Sequence, residues 1–301
     1  MISIPTVLIL GAGASAPYGF PLGIGLRNKI VENLSQNFPN GPFIKQLLES
    51  GFSTAEIENF RDAFFYSGKA SIDAFLENRS DYLDLGKAAI AQELMKYESK
   101  GLLFDTTKPN LYFYIYQHLN ALGDNFSKNT LSILTYNYDR SFEEFLFTAL
   151  MNSYNLSDDA AAALVNSIPI VHLHGHLGEL PWATSVGNTY GGEITAKRIV
   201  RASKSIKIIH ETLDDDPEFN KARVILDNAT KVVFLGFGYD KTNLKRLRLD
   251  FTTGPKEFSG SCMGLSELEK SQLHMDCARN ILLGSTTDDA LKFLRECVQL
   301  Q

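Results

Sequence analysis

The stretch Val7-Leu8-Ile9-Leu10-Gly11-Ala12-Gly13-Ala14-Ser15 decides the fold. Its first four residues are apolar and strand-like. The glycine pair that follows can take φ > 0 and lets a phosphate approach the backbone. A helical pattern covers 22–37, with Leu26, Ile30 and Leu34 on one face. Strand, glycine turn and helix is the order in which a nucleotide-binding crossover begins. The spacing Gly11-x-Gly13-x-x-Ala16 also occurs in βα turns without a ligand. The weight therefore falls on two later segments, Thr135-Tyr136-Asn137-Tyr138-Asp139 and His172-Leu173-His174-Gly175-His176. Each directly follows an apolar run that reads as a strand.

The chain has 301 residues, of which 44% are hydrophobic and 21% charged, enough to bury a full core. Its formal net charge is −6 and no Lys/Arg-rich stripe stands out, so direct nucleic-acid binding is not expected. The first residues lack a basic segment and their apolar run is short, which reads as a core strand rather than a secretory leader. No apolar run is long enough to span a bilayer, so no membrane association is expected. Cys262, Cys277 and Cys297 are too few and too far apart for a disulfide framework. No Cys-x-x-Cys pair exists, which excludes a zinc ribbon. A reduced, cytoplasmic protein is the expectation.

Strands are predicted over 5–11, 131–135, 168–173 and 231–235. Between about 43 and 123 only helical patterns occur, at 43–51, 54–66, 72–100 and 110–122. The span 43–123 therefore reads as a helical insertion over one edge of a cleft. Helices are also predicted over 142–151, 218–228 and 288–298. Alternating β and α in the second half argues for a parallel sheet. The segment 177–216, which ends in the acidic run Asp214–Asp216, carries no decisive pattern.

Each candidate site has an alternative structural role. Gly11, Ala12, Gly13 and Ser15 offer backbone N–H groups and a hydroxyl to a pyrophosphate, or form a plain turn. Asn137 and Asp139 sit at a strand's carboxyl end, where α/β sheets bind ligands, yet both types also cap helices. Strand alternation puts His172 and His174 on one face. One imidazole near neutral pKa suits a general base, while the His-x-His-x-His run also suggests a metal or a structural role. Gly236-Phe237-Gly238-Tyr239-Asp240 is a second glycine turn, fit for a nucleotide or for a bare turn. Asp73 reads as a first-turn helix acid, with Ser71 as cap, rather than a cleft residue. Phe64-Phe65-Tyr66 and Tyr112-Phe113-Tyr114 read as packing residues of the helical insertion.

Taken in order, Gly11-Ala-Gly-Ala-Ser15, Gly19-Phe20-Pro21, Thr135-x-Asn137-x-Asp139 and His174-Gly175 resemble the sirtuin-like family of NAD-consuming enzymes. Sirtuins carry Gly-Ala-Gly-Ile-Ser, Gly-Ile-Pro, Thr-Gln-Asn-Ile-Asp and His-Gly at those places. The chain departs from sirtuin deacetylases in lacking the four-cysteine zinc module. Gly23-Ile24 stands where they have Phe-Arg, and Gly236-Phe237-Gly238 where they have Gly-Thr-Ser. It looks most like the zinc-free bacterial branch, whose members hydrolyse NAD, often as anti-phage effectors.

The resemblance implies one α/β domain over 1–301, a Rossmann-like parallel sheet with flanking helices and an inserted helical subdomain. It implies NAD as substrate and no zinc. Gly11, Ala12, Gly13 and Ser15 would bind the NAD phosphates, with Pro21, Thr135, Gly236 and Gly238 completing the binding set. Asn137 would hold the nicotinamide ribose and the attacking water, Asp139 the nicotinamide amide, and His174 would act as base. A non-catalytic NAD or ADP-ribose sensor and an ADP-ribosyl transferase remain open. A homo-oligomer or a protein activator is expected, because a toxic hydrolase must be held off until needed.

Overall fold

Six strands form one sheet in which every neighbouring pair is parallel, in the order β3-β2-β1-β4-β5-β6. They are β1 (Thr6–Leu10), β2 (Leu131–Thr135), β3 (Ile170–His172), β4 (Lys231–Leu235), β5 (Glu257–Gly260) and β6 (Leu282–Leu283). This order is that of the doubly wound dinucleotide-binding fold, whose ligand crevice lies where the winding reverses, between β1 and β4. The computed structural model describes residues 1–119, 123–208, 216–249, 255–277 and 280–301. Asp214, Asp215 and the end of the helix predicted over 110–122 lie outside the described residues.

Every residue of β1 is buried, as a central strand covered on both faces must be. Its alternation divides the core. Leu8 and Leu10 pack with the helices of the insertion, while Val7 and Ile9 pack with Leu134, Val171, Phe219 and Leu226 on the other face. In register, Leu10 faces both Thr135 and Leu235. The loops that leave β1, β2 and β4 therefore emerge level, along one edge of the sheet.

Among its described residues the insertion carries helices and turns and no strand. Its helices are Pro42–Glu49, Thr54–Tyr66, Ile72–Leu76, Leu83–Met95, Lys100–Leu103 and Leu111–His118. Ser53 and Glu56 form a reciprocal capping box that starts the second of them. The single helix predicted over 72–100 is broken. Arg79 takes a non-helical conformation, and one 3-10 turn separates Ile72–Leu76 from Leu83–Met95. The break lets the two helices fold onto each other, so closely that a Cβ on Gly86 would meet the Leu76 side chain at 2.6 Å.

Four further elements have no counterpart in the sequence reading: the helices Asp158–Asn166, Ala196–Ser205, Lys241–Leu247 and Glu267–Asp276. The same holds for β5 and β6. No helix among the described residues is long and apolar enough to cross a membrane.

Candidate active site

Two glycine loops meet at the switch point. Gly236, just past β4, has φ +57, a region that favours glycine. A Cβ there would lie 2.2 Å from Ala14 N, and one on Gly11 would lie 2.6 Å from Gly236 O. Glycine is thus required on both sides for the backbones to touch. The contact uses up donors. Gly11 N–H donates to Leu235 O (3.0 Å), Gly13 N–H to Gly236 O (2.9 Å) and Ala14 N–H to Gly11 O (2.9 Å). The phosphate cradle expected of Gly11 and Gly13 therefore has its N–H groups tied to β4 and its loop. Gly13 and Gly236 shape the wall from behind.

Asn137 is the hub of the site. Its Nδ2 donates to Gly11 O (2.9 Å) and Ser15 Oγ (2.9 Å), and its N–H donates to Thr135 Oγ1 (3.0 Å). Ser15 Oγ in turn donates to Asp139 Oδ2 (2.7 Å), while Asp139 Oδ1 accepts from Ser141 N–H (3.1 Å). Asp139 thus holds the first N–H of the helix Ser141–Tyr154 and the glycine loop at once. Burial raises its carboxyl above the usual range, against the hydrogen bonds from Ser141 and Ser15 that lower it. Both of its oxygens are engaged within the protein.

The three histidines do not share a face. β3 ends at His172, and Gly175 turns the chain at φ +72, so strand alternation does not extend to His174. His172 and His176 face each other, ring centroids 5.1 Å apart. His174 instead meets Tyr136 edge-on at 5.1 Å. Burial, reinforced by the Arg246 guanidinium, pushes the His174 imidazole down to about 4. It is neutral at pH 7, and its buried Nε2 has no hydrogen-bond partner. Asn243 stands beside the ring without a well-formed hydrogen bond, and its buried Oδ1 is likewise unpaired. Such unpaired polar atoms are costly unless a ligand or water satisfies them.

Asn137, Asp139 and His174 line one cavity of about 300 Å³ together with Gly11, Ala12, Ser15, Pro21 and Gly238. Of the expected binding set, Gly13, Thr135 and Gly236 lie behind its wall. Several lining residues were not expected from sequence. Asp73 does reach the cavity, where its Oδ1 accepts from the Tyr138 hydroxyl at 2.5 Å. Burial raises the Asp73 carboxyl, a rise that the Tyr138 bond offsets in part. Tyr136, Phe237 and Asn243 complete the far wall, with Tyr136 OH donating to Asn243 O at 3.0 Å. Tyr136 and Tyr138 flank Asn137 directly, and that flanking is the signal by which they were readable. Among the described residues no lysine or arginine lines this cavity, whereas Asp73, Asp139 and Asp240 do.

The chain is similar in structure to a Sir2 solved with an inhibitor, 2'-O-acetyl-ADP-ribose and a deacetylated peptide, and to Sir2Tm bound to a propionylated peptide. Each match has 14% sequence identity and a TM-score of 0.41, and covers 96% of this chain and 90% of the other. No protein-family model matches the chain, and no curated protein matches it significantly.

Proposed function

We propose that the protein is an NAD glycohydrolase, which releases nicotinamide and leaves ADP-ribose. One observation above all supports the reading. Asn137 and His174, 37 residues apart in sequence, line the same cavity at the switch point of a 3-2-1-4-5-6 sheet. A volume of about 300 Å³ suits one half of a dinucleotide rather than the whole. A wall with three carboxyl groups and, among the described residues, no lining cation favours the pyridinium ring and ribose hydroxyls over phosphates.

In this reading the C1′–N bond breaks with its electron pair staying on the ring nitrogen, so neutral nicotinamide leaves. Water adds to C1′ of the oxocarbenium-like centre, and its proton passes to a base. His174 suits that late task. A base near 4 does not deprotonate free water, but a water oxygen bonding to C1′ becomes a strong acid. Asn137, with its Nδ2 committed to Gly11 and Ser15, presents its Oδ1 to a ribose hydroxyl or the water. Asp139 holds Ser15 and floors the cavity. Gly11, Ala12, Ser15 and Pro21 on one side and Gly238 on the other would receive the dinucleotide, shaped by Gly13, Thr135 and Gly236.

The reading includes a role as an anti-phage effector and control by self-association or a protein activator, as the family resemblance implies. The weak basicity of His174 favours one rival, a sensor that binds NAD without turning it over. Nicotinamide release by the purified chain, followed across protein concentrations beside Asn137→Ala and His174→Ala, decides between them. Release abolished by both substitutions supports hydrolysis. Saturable binding with no release supports the sensor, and labelled ADP-ribose on a macromolecule supports transfer.

A further inference from the structure

His172 Nδ1 lies 3.0 Å from the backbone carbonyl of Asn137, and His172 Nε2 lies 2.5 Å from Glu143 Oε1. One partner is a carbonyl, and Glu143 is held toward its ionised form, so with Glu143 as a carboxylate both ring nitrogens donate. The ring is therefore an imidazolium paired with a carboxylate. Burial works against both charges, yet Glu143 holds His172 above its ordinary value and His172 holds Glu143 below its own. Neither side chain lines the 300 Å³ cavity. Both line a separate cavity of about 820 Å³ along the edge strand β3, with His176 and Arg140. The titratable groups that face the pair are Asp139, His176 and Glu179, with Arg140 on the same cavity wall.

An ion pair taken out of water is a poor source of stability. This one terminates on the main chain of the residue whose side chain enters the ligand cavity. Asn137 is held at Nδ2 by Gly11 and Ser15 and at N–H by Thr135, and His172 fixes its remaining main-chain group. We propose that the Glu143–His172 pair is a positioning device for Asn137, clamping its carbonyl from behind so that Oδ1 meets the reacting ribose or water in one orientation. This rests on the reading of the cavity as an NAD-hydrolysing site. The pair touches no ligand, so its loss lowers the rate of the chemical step and spares binding.

The test is the split between kcat and KM for NAD in His172→Leu, His172→Asn and Glu143→Ala, each checked for folding by thermal melting. His172→Leu removes the donor to Asn137, and kcat falls about 10- to 100-fold with KM within about threefold. His172→Asn places an amide N–H near the Nδ1 position and restores at least a third of the lost rate. If His172→Leu does not fold, Glu143→Ala carries the same expectation, because it frees the imidazole and leaves Asn137's other bonds in place. An active wild type with His172→Leu or Glu143→Ala equally active overturns this inference alone. So does a rise in KM at unchanged kcat. A wild type that leaves NAD intact overturns the reading of the site, and this inference with it.

Discussion

Ser15 Oγ donates to Asp139 Oδ2 at 2.7 Å and joins two motifs 124 residues apart. The same hydroxyl accepts from Asn137, so one oxygen sets the distance between the glycine loop and the residue that enters the cavity. Ser15→Ala leaves the buried Asp139 carboxylate short of a donor and Asn137 short of an acceptor. The expected cost is about 1–3 kcal/mol of stability. Nicotinamide release should fall with it. Urea unfolding measures the first and a release assay the second; full stability with full activity would show that the linkage does not matter.

Gly236 is the closest backbone approach in the site. Gly236→Ala puts a methyl group into Ala14 N and Gly13 C, at a residue whose φ is +57. The neighbouring atoms are main chain and have no rotamer to yield. The left-handed conformation alone costs about 1–2 kcal/mol for a residue with a Cβ. The overlap adds to that, so a total loss of about 3 kcal/mol or more is expected. A melting temperature equal to that of the wild type would contradict the packing described for the two loops.

His174 makes stability depend on pH with a definite sign. An unfolded histidine takes up its proton near 6.5, whereas the folded ring resists it down to about 4. Between those values the unfolded chain binds more protons, so stability falls as pH drops from 6.5 toward 4. This group contributes up to about 3 kcal/mol of that fall. His172 acts in the opposite sense: its raised value gives stability that is present below 6.5 and is lost as pH rises through the folded value. His174→Ala should flatten the acid limb whatever it does to absolute stability. Urea midpoints at pH 7.5 and 4.5 for both proteins provide the check, and parallel slopes would refute the assignment.

Much of this site was legible because its residues sit where strand ends must put them. β1, β2 and β4 are five-residue, mostly apolar strands, and their loops carry Gly11, Asn137 and Gly236 to one edge. The periphery was not legible. β5 reads Glu257-Phe258-Ser259-Gly260 and β6 is two leucines, so both exist by pairing rather than by propensity. The helix Ala196–Ser205 buries only Ile199 and Ala202, too few to mark a stripe. Asp73 sits in the first turn of its helix, where an acid has a sufficient local reason, and nothing local reveals that Tyr138 reaches it. His172 is raised by Glu143, whereas His174 is lowered by burial with help from Arg246, and no spacing rule reveals either environment.

Asp73 accepts from the Tyr138 hydroxyl and from its own backbone N–H. Asp139 and Asp240 also accept from main-chain N–H groups at the starts of the helices that follow them. Asp73→Asn keeps an acceptor for Tyr138 and removes the charge. Stability should change by no more than about 0.5 kcal/mol. KM for NAD should rise about tenfold, equivalent to about 1.4 kcal/mol of lost attraction for the pyridinium. An unchanged KM would mean that the cationic ring does not lie against this wall.

Arg140 follows Asp139 directly and fixes the other side of the site. It is 2% exposed. Its Nε and Nη2 donate to Glu98 Oε1 at 3.0 and 2.5 Å, and Nη1 donates to the carbonyls of Gly178, Glu179 and Asn188. One guanidinium thus ties the β2 loop to the insertion through Glu98 and to the segment after His176 through three backbone oxygens. Arg140→Leu fills much of the space and leaves Glu98 buried with Arg198 at 3.8 Å as its nearest cation. The expected loss is about 3–5 kcal/mol, because an unpaired buried carboxylate is far costlier than the pair is favourable. Arg140→Lys should recover little, since a single ammonium does not span a carboxylate and three carbonyls. Adding Glu98→Gln to Arg140→Leu removes the stranded charge and should return more than half of the loss. If it returns none, the cost lies in the three backbone carbonyls rather than in Glu98, and the guanidinium matters first as the clamp on 178–188.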